Sequence, residues 1–241
     1  MTNVDVRIRR AEGSRDYLAC VALQKKIWGF TDGDDLAAST MLMLSDRFGG
    51  CVLVAEDGDQ PIGFAFAMPG WKTDMKPFWW SHMTAVLPEY RNRNLGLALK
   101  LRQREEALAH GVERIEWTFD PMQSLNAHFN LCKLGVVVHE YEEDVYGQST
   151  SPLHRGLPTD RFVAEWNLRE FPRVRGERRD SDILLEIPSD INSLKARDLD
   201  AAKAWQVRVR ATSQRLFHDG YAVTGFVKVS RSYVFVKRQD C

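Results

Sequence analysis

The chain has 241 residues, 44% hydrophobic and 27% charged, which is enough apolar material for a packed core and too much for an intrinsically disordered chain. Lys+Arg and Asp+Glu stand at 33 each, a balance that argues against nucleic acid or an anionic membrane as the main partner. The first residues, MTNVDVRIRRAEG, hold no apolar core of signal-peptide length, and no segment approaches a bilayer span, so a cytoplasmic protein is expected. The length suits one large domain, or an ordinary domain with an appendage. Cys20, Cys51, Cys132 and Cys241 show no C-x-x-C spacing and read as reduced, buried thiols. The six histidines form no ligand cluster, so no metal is expected.

In chain order, residues 4–10 alternate apolar and charged as a half-exposed strand does. Ser14 can cap a helix carrying Leu18, Val21, Ala22, Ile27 and Trp28, ending at Gly29. Residues 32–35 are an acidic turn, and 36–48 read as a second helix with Met41, Leu42 and Leu44 on its apolar side. Residues 51–55 and 62–68 are two strands around the turn signal at 56–60, making a hairpin. Residues 69–78 read as a loop, unusually aromatic once Trp79 and Trp80 are counted. Such a cluster either packs into the core or walls a substrate.

Residues 81–111 organise the rest. An apolar strand reaches Val86 and Leu87, Pro88 stops it, and an Arg-Asn-Arg-Asn turn leads into a long amphipathic helix opening at Leu95-Gly96. The opening turn of a helix leaves backbone N–H groups without internal partners and carries partial positive charge, so anions bind there. Gly96 and Ala98 keep the approach to the N–H groups of residues 93–98 clear, and Arg91 and Arg93 add cations that can fork onto phosphate oxygens. The stretch is a strand–turn–helix suited to a diphosphate. A dinucleotide-binding loop would need three spaced glycines where this turn has one.

Arg93-Asn94-Leu95-Gly96-Leu97-Ala98, after a strand ending Val86-Leu87-Pro88 and the lead-in Glu89-Tyr90-Arg91, resembles the signature Q/R-x-x-G-x-G/A of the GNAT superfamily of acyl-CoA-dependent N-acyltransferases. The order of elements is similar to that fold through about residue 168: residues 114–119 a strand, 124–134 a short helix with Gly135 as its left-handed cap, 136–141 a strand, 142–160 a long polar connection, and 161–168 a strand closing the sheet. Asn126-Ala-His-Phe129 with Lys133-Leu134-Gly135-Val136 resembles the family's second motif. The resemblance implies an α/β fold, a mixed central sheet flanked by helices, and acetyl-CoA or another acyl-CoA as co-substrate. It implies cofactor contacts at Ala85, Val86, Arg91, Arg93, Asn94, Leu95, Gly96, Leu97 and Ala98, with Asn126 and Phe129 beside the pantetheine arm. It also places the helices of residues 14–48 along the acceptor side of the cleft.

Acyl transfer to an amine needs the ammonium deprotonated and the leaving thiolate protonated or tolerated. His82 lies four residues before Val86, so strand alternation puts both on one face, and it resembles the position where GNAT enzymes carry Glu or His. It is the candidate base, the alternative being a strand histidine satisfied by a carbonyl. Glu116 and Asp120 are reserves, though carboxylates at a strand edge are usually solvated. Leu131 falls where the family often has an acidic tyrosine, so Tyr141 or Tyr146 supplies the proton unless none is needed.

Residues 1–169 are thus expected as the acyl-CoA-binding domain and 170–241 as an extension that packs on the sheet or mediates a homodimer. The extension opens with a charged linker at 170–180 and continues with a strand at 183–187. Ser193 caps a helix carrying Leu199, Ala202, Trp205, Val209 and Leu216, and a hairpin at 221–237 follows. The helix-to-strand junctions at Gly135 and Gly220 suggest a partial echo of the first domain's second half, with coincidence accounting for it equally well. Two functions follow: an N-acyltransferase acting on a primary amine of a small molecule or peptide, or a non-catalytic acyl-CoA-binding module with the same fold.

Overall fold

The computed structural model describes residues 6–30, 33, 35–147, 156–172 and 179–240. They form two compact units, one running through Glu116 and the other beginning at Trp117. The extension expected from residue 170 onward shares its unit with residues 117–169. Among the described residues no helix is long and apolar enough to cross a membrane.

The first unit holds β1 (Val6–Arg10), α1 (Gly13–Trp28), α2 (Ser39–Arg47), β2 (Cys51–Asp57), β3 (Gln60–Trp71), β4 (Pro77–Val86), α3 (Leu95–Ala109) and the start of β5 (Arg114–Phe119). Its strands follow the order β1-β2-β3-β4-β5, antiparallel up to β4 and parallel between β4 and β5. Cys51 to Ala55 are fully buried because helices cover both faces. Phe64 turns its ring onto Trp28 of α1, and on the opposite face a Cβ at Gly63 would meet Leu99 of α3. Ion pairs lace the start of the chain to this layer. Arg9 bridges Asp16 and Glu56, and Arg10 bridges Asp46 and Glu106.

Local chemistry differs from the sequence expectation at several points. Ser14 lies inside α1 rather than capping it; Asp16 accepts the Glu12 N–H at 2.7 Å instead. In α2 only Leu42 and Ser45 are buried, while Met41 and Leu44 are about half exposed. The aromatic loop is mostly strand, since β3 runs on to Trp71 and β4 starts at Pro77, with pairs Met68↔Trp80, Pro69↔Trp79 and Trp71↔Pro77. Alternating large side chains on paired strands outweigh the turn signal of Pro69-Gly70. The acidic turn at 32–35 and the strand start at Val4 fall largely outside the described residues.

The second unit holds the rest of β5, α4 (Ser124–His128), β6 (Val137–Glu142), β7 (Arg161–Asn167), β8 (Ile183–Glu186), α5 (Ile191–Arg197), α6 (Leu199–His218), β9 (Tyr221–Val227) and β10 (Ser232–Lys237). The strand order is β5-β7-β6-β9-β10-β8, so β7 inserts between β5 and β6 instead of closing an edge, and β9 continues the sheet antiparallel to β6. The order reads the same from both ends: strand, helix, strand, strand (β5, α4, β6, β7), then the same series again (β8, α5 and α6, β9, β10). Both helix-to-strand junctions carry left-handed glycines, Gly135 at φ 69° and Gly220 at φ 80°, so the echo seen in the sequence extends to the topology.

The single helix expected over residues 193–219 is two, because Asp190 caps α5 and Asp198 caps α6 through the N–H of Ala201 at 2.9 Å. The expected helix 124–134 changes after His128 into one π-turn, residues 129–133. Cys132 stands exposed on this turn, whereas Cys20 and Cys51 are buried as expected and Cys241 lies outside the described residues.

Phe162 anchors the second unit, its ring edge-to-face with those of Phe119, Tyr141, Phe217 and Tyr233. Phe162→Ala should destabilise the protein by about 3–5 kcal/mol, read as a lowered urea midpoint. A change under about 1 kcal/mol would show that this cluster is not a core.

Candidate functional site

Parallel pairing of β4 with β5 covers only Trp79↔Ile115 and Trp80↔Glu116, and β4 runs on to Val86 with no further β5 partner. The direction of each backbone group on this stretch follows from its neighbours. Leu87 donates its N–H to Ile62 O at 2.9 Å, toward β3. By the two-residue strand period Ala85 points the same way, and its carbonyl lies 2.8 Å from where a Gly63 Cβ would sit, a closeness only glycine permits. Thr84 and Val86 therefore present their backbone to the side β5 has left. Of the expected pair, Val86 is aimed at the open edge and Ala85 is not.

His82 is the extra residue of a β-bulge. Phe66 pairs with Met83 and Ala67 with Ser81, so two residues of β4 stand against one step of β3. The bulge shifts the alternation by one, and the shared face expected for His82 and Val86 does not exist. The His82 ring stands edge-on to Phe66 at 6.0 Å, on the α1 face, while Val86 packs beside Leu99 on the α3 face. Bulges recur beside active sites because they re-aim one side chain without moving the strand. No glycine or proline in Ser81-His82-Met83 announces it. Burial holds the imidazole pKa below its ordinary value, so the ring is neutral at neutral pH.

On the opposite face Lys100 fastens β4 just before the bulge. Its fully buried amine donates to Ser81 Oγ at 2.7 Å and Gln103 Oε1 at 3.3 Å, and burial lowers its pKa well below that of an exposed lysine.

Past Val86, a turn of 3₁₀ helix (Pro88–Tyr90) leads to Asn92 and Asn94, both left-handed at φ 62° and 58°, a conformation asparagine tolerates. Asn94 puts no side-chain cap on α3, and the first turn contains no acidic residue. Ala98 donates to Asn94 O at 3.0 Å, so its amide is spent on the first helical bond. No hydrogen bond among the described residues uses the N–H of Leu95, Gly96 or Leu97, and a Cβ at Gly96 would meet nothing within 4 Å. Three bare amides at an open, uncapped helix start fit an anion.

The flanking cations are held in place. Tyr90 donates to Asp57 Oδ2 at 2.8 Å, the Arg93 guanidinium stacks on the Tyr90 ring at 5.4 Å, and Arg91 Nε bonds Val86 O at 3.3 Å. An uncapped helix start flanked by two arginines suits a diphosphate-bearing ligand.

Glu116 differs from the expectation. It is 2% exposed and ion-paired to Lys72 at 2.6 Å and Arg114 at 3.3 Å, not solvated at an edge. A carboxylate neutralised twice is a poor base. Asp120 accepts the Met122 N–H at 2.8 Å and serves a turn.

The second unit carries the remaining candidates. Tyr146 is exposed in the loop after β6, its hydroxyl 3.0 Å from Thr118 Oγ1 on β5 and its ring under the Arg161 guanidinium at 5.2 Å. Tyr141 is buried, bonded to Asp160, its pKa raised by burial, which fits a structural hydroxyl better than a proton donor. Asn126 is exposed on α4 and Phe129 half-buried at the π-turn. Leu131 is buried, and Asn130 accepts the Trp117 indole N–H at 3.3 Å.

Residues 17–131 match the sequence model of the Acetyltransferase (GNAT) family. No curated protein matches the chain. Among solved structures, a GNAT-family acetyltransferase from Streptococcus pneumoniae is 20% identical with a TM-score of 0.54, covering 68% of this chain and 99% of that one. Arabidopsis thaliana Naa50 is 13% identical with a TM-score of 0.53, covering 67% and 98%. The Escherichia coli ribosomal-protein-S18-alanine N-acetyltransferase is 14% identical with a TM-score of 0.53, covering 72% and 98%. At these identities the likeness shows the fold.

Because His82 is held neutral by burial, its folded pKa lies below its unfolded value. The folded state then binds fewer protons through that window, and its stability falls as pH drops below the unfolded value of about 6.5. Between pH 7 and pH 5 the protein should lose more thermal stability than His82→Gln does. Parallel losses would show His82 to be solvated.

Proposed function

We propose, from the match of residues 17–131 to the GNAT acetyltransferase family model, that this protein transfers an acetyl group from acetyl-CoA to a primary amine of a small molecule or peptide by direct attack. The observation that carries the reading is the combination of bare first-turn amides in α3 with the edge of β4 that β5 leaves unpaired. Amides of Leu95, Gly96 and Leu97, with Arg91 and Arg93, would hold the diphosphate. Arg93, Asn94 and Ala98 would shape that turn. Val86 N–H on the open edge would receive the pantetheine amide, a contact that Ala85, its backbone turned to β3, would not make. Acetyl-CoA supplies an activated acyl group.

His82, neutral at its bulge, takes the proton released as the amine nitrogen attacks the carbonyl carbon, directly or through a water. The carbon–sulfur bond then breaks, and Tyr146 donates its hydroxyl proton to the departing thiolate, regaining one from solvent. Glu116 carries no step, being held by two cations. Similar folds support an amine acceptor. Naa50 was solved with the bisubstrate analogue CoA-Ac-MVNAL, the Escherichia coli relative is named for an alanine N-acetyltransferase, and another neighbour, with a TM-score of 0.52, is an aminoglycoside 6′-acetyltransferase.

A non-catalytic acyl-CoA binder is the second reading, favoured by the buried Leu131 at the position of the family's tyrosine. Thiol release from acetyl-CoA with a panel of peptide N-termini, polyamines and aminoglycosides separates the two. Turnover should fall at least about tenfold in His82→Ala and in Tyr146→Phe, as removal of a general acid or base does. Binding without release for any amine would favour the second reading.

Gly96→Glu, which puts bulk and negative charge at the diphosphate turn, should abolish the thermal stabilisation given by CoA while leaving the melting temperature without CoA unchanged. An undiminished CoA shift would remove the assignment of that turn.

A further inference from the structure

The helix α6 makes a set of contacts that acetyl transfer by itself does not call for. Asp160 is 2% exposed and receives Arg210 bidentately, Nε on Oδ2 and Nη2 on Oδ1, both at 2.9 Å. Arg210 Nη1 reaches Glu143 at 2.7 Å, and Gln214 Nε2 donates to the same carboxylate at 2.8 Å. One turn earlier Gln206 Nε2 donates to Pro158 O at 2.7 Å. Leu157 packs with Met122, Ile191 and Ala202. Both feet of the loop that leaves β6 at 142 and enters β7 at 161 are therefore fastened to α6.

From those feet the bonds lead to one side chain. Asp160 Oδ1 accepts the Asp144 N–H at 3.2 Å, and Asp144 Oδ1 accepts from Thr159 N at 2.9 Å and Thr159 Oγ1 at 3.1 Å. Thr159 Oγ1 in turn accepts the Tyr146 N–H at 2.8 Å, and Thr159 O accepts from Val145. Tyr146 then sets its hydroxyl on Thr118. A planar guanidinium–carboxylate fork fixes direction as well as distance, so rotation of Asp160 would disturb each later link.

We propose that α6 is the support of the loop that presents Tyr146, and that Arg210 is a positioning residue for the Tyr146 hydroxyl. What that hydroxyl does rests on the acetyl-transfer reading; how it is held rests on the contacts alone. The C-terminal strands and helices would then serve catalysis from outside the site, a role distinct from mediating a dimer.

The full-length protein tests this by amide hydrogen exchange and steady-state kinetics. Arg210→Met should speed exchange at Val145, Tyr146, Gly147 and Thr159 at least about tenfold, with β2 and β3 unchanged, the signature of a local opening. Arg210→Met leaves Asp160 buried without its cation and can unfold the unit. Gln206→Ala with Gln214→Ala is the milder variant, expected to loosen the same amides. With the amine that supports turnover, Arg210→Met should lower kcat about tenfold without raising KM for acetyl-CoA, Arg210→Lys should recover part of it, and Arg210→Met added to Tyr146→Phe should slow the enzyme no further. Unchanged exchange in both variants overturns the support itself. Faster exchange with additive kinetic losses shows α6 holding the loop for stability and overturns the positioning role. Faster exchange with wild-type turnover in Tyr146→Phe upholds the support and sinks the acid assigned to Tyr146.

Discussion

A strand whose backbone groups lose their neighbour is costly unless something else pairs them, and β4 loses its neighbour after Trp80. Much of the first unit follows from keeping that edge open and straight. Lys100 pins Ser81 from the α3 side, Gly63 lets β3 close tightly on Ala85 from the other edge, and Arg91 folds back onto Val86 O. The helix that follows begins after a short turn, so eight residues, 87–94, separate the amides left bare at its start from Val86, the last strand residue whose backbone faces the open edge. In the acetyl-transfer reading, one extended ligand with an anionic end and an amide-bearing arm would satisfy both deficits.

Much of this was legible in the sequence where chemistry leaves a local mark. Pro88 after an apolar run, glycine at position 96 and arginines at 91 and 93 announce the turn, and the structure leaves its amides bare. What could not be read depends on partners remote in the chain. The bulge at His82 arises from the register of β3, which no residue near position 82 encodes. Glu116 looked like a free carboxylate because its neighbours Lys72 and Arg114 meet it only once the hairpin folds. Asp160 and Arg210 sit fifty positions apart, and each alone reads as an ordinary surface charge. The apolar side expected for α2 failed for the same reason, since Leu42 is covered by its own unit and Met41 and Leu44 are left exposed.

Two kinds of histidine and lysine burial also separate structure from chemistry here. Lys100 is enclosed wholly and bonded to Ser81 and Gln103, so its amine is committed to holding a strand. His82 is less deeply enclosed, leans on an aromatic ring and makes no side-chain hydrogen bond among the described residues. The same desolvation lowers both pKa values. At His82 the result is a neutral imidazole at neutral pH, whereas at Lys100 the amine is tied into the strand.

The mirrored strand order of the second unit has one more corollary. In the first series the outer strand is β5, which β4 accompanies for two residues before parting from it; in the second series the outer strand is β8, and nothing stands in the place of β4 among the described residues. The second unit thus comprises two copies of one sheet-building plan, and among the described residues only the first has a further strand beside its outer member. Among the described residues β8 pairs with β10 alone, so its other edge is the place where a grafted strand would extend this sheet by backbone pairing.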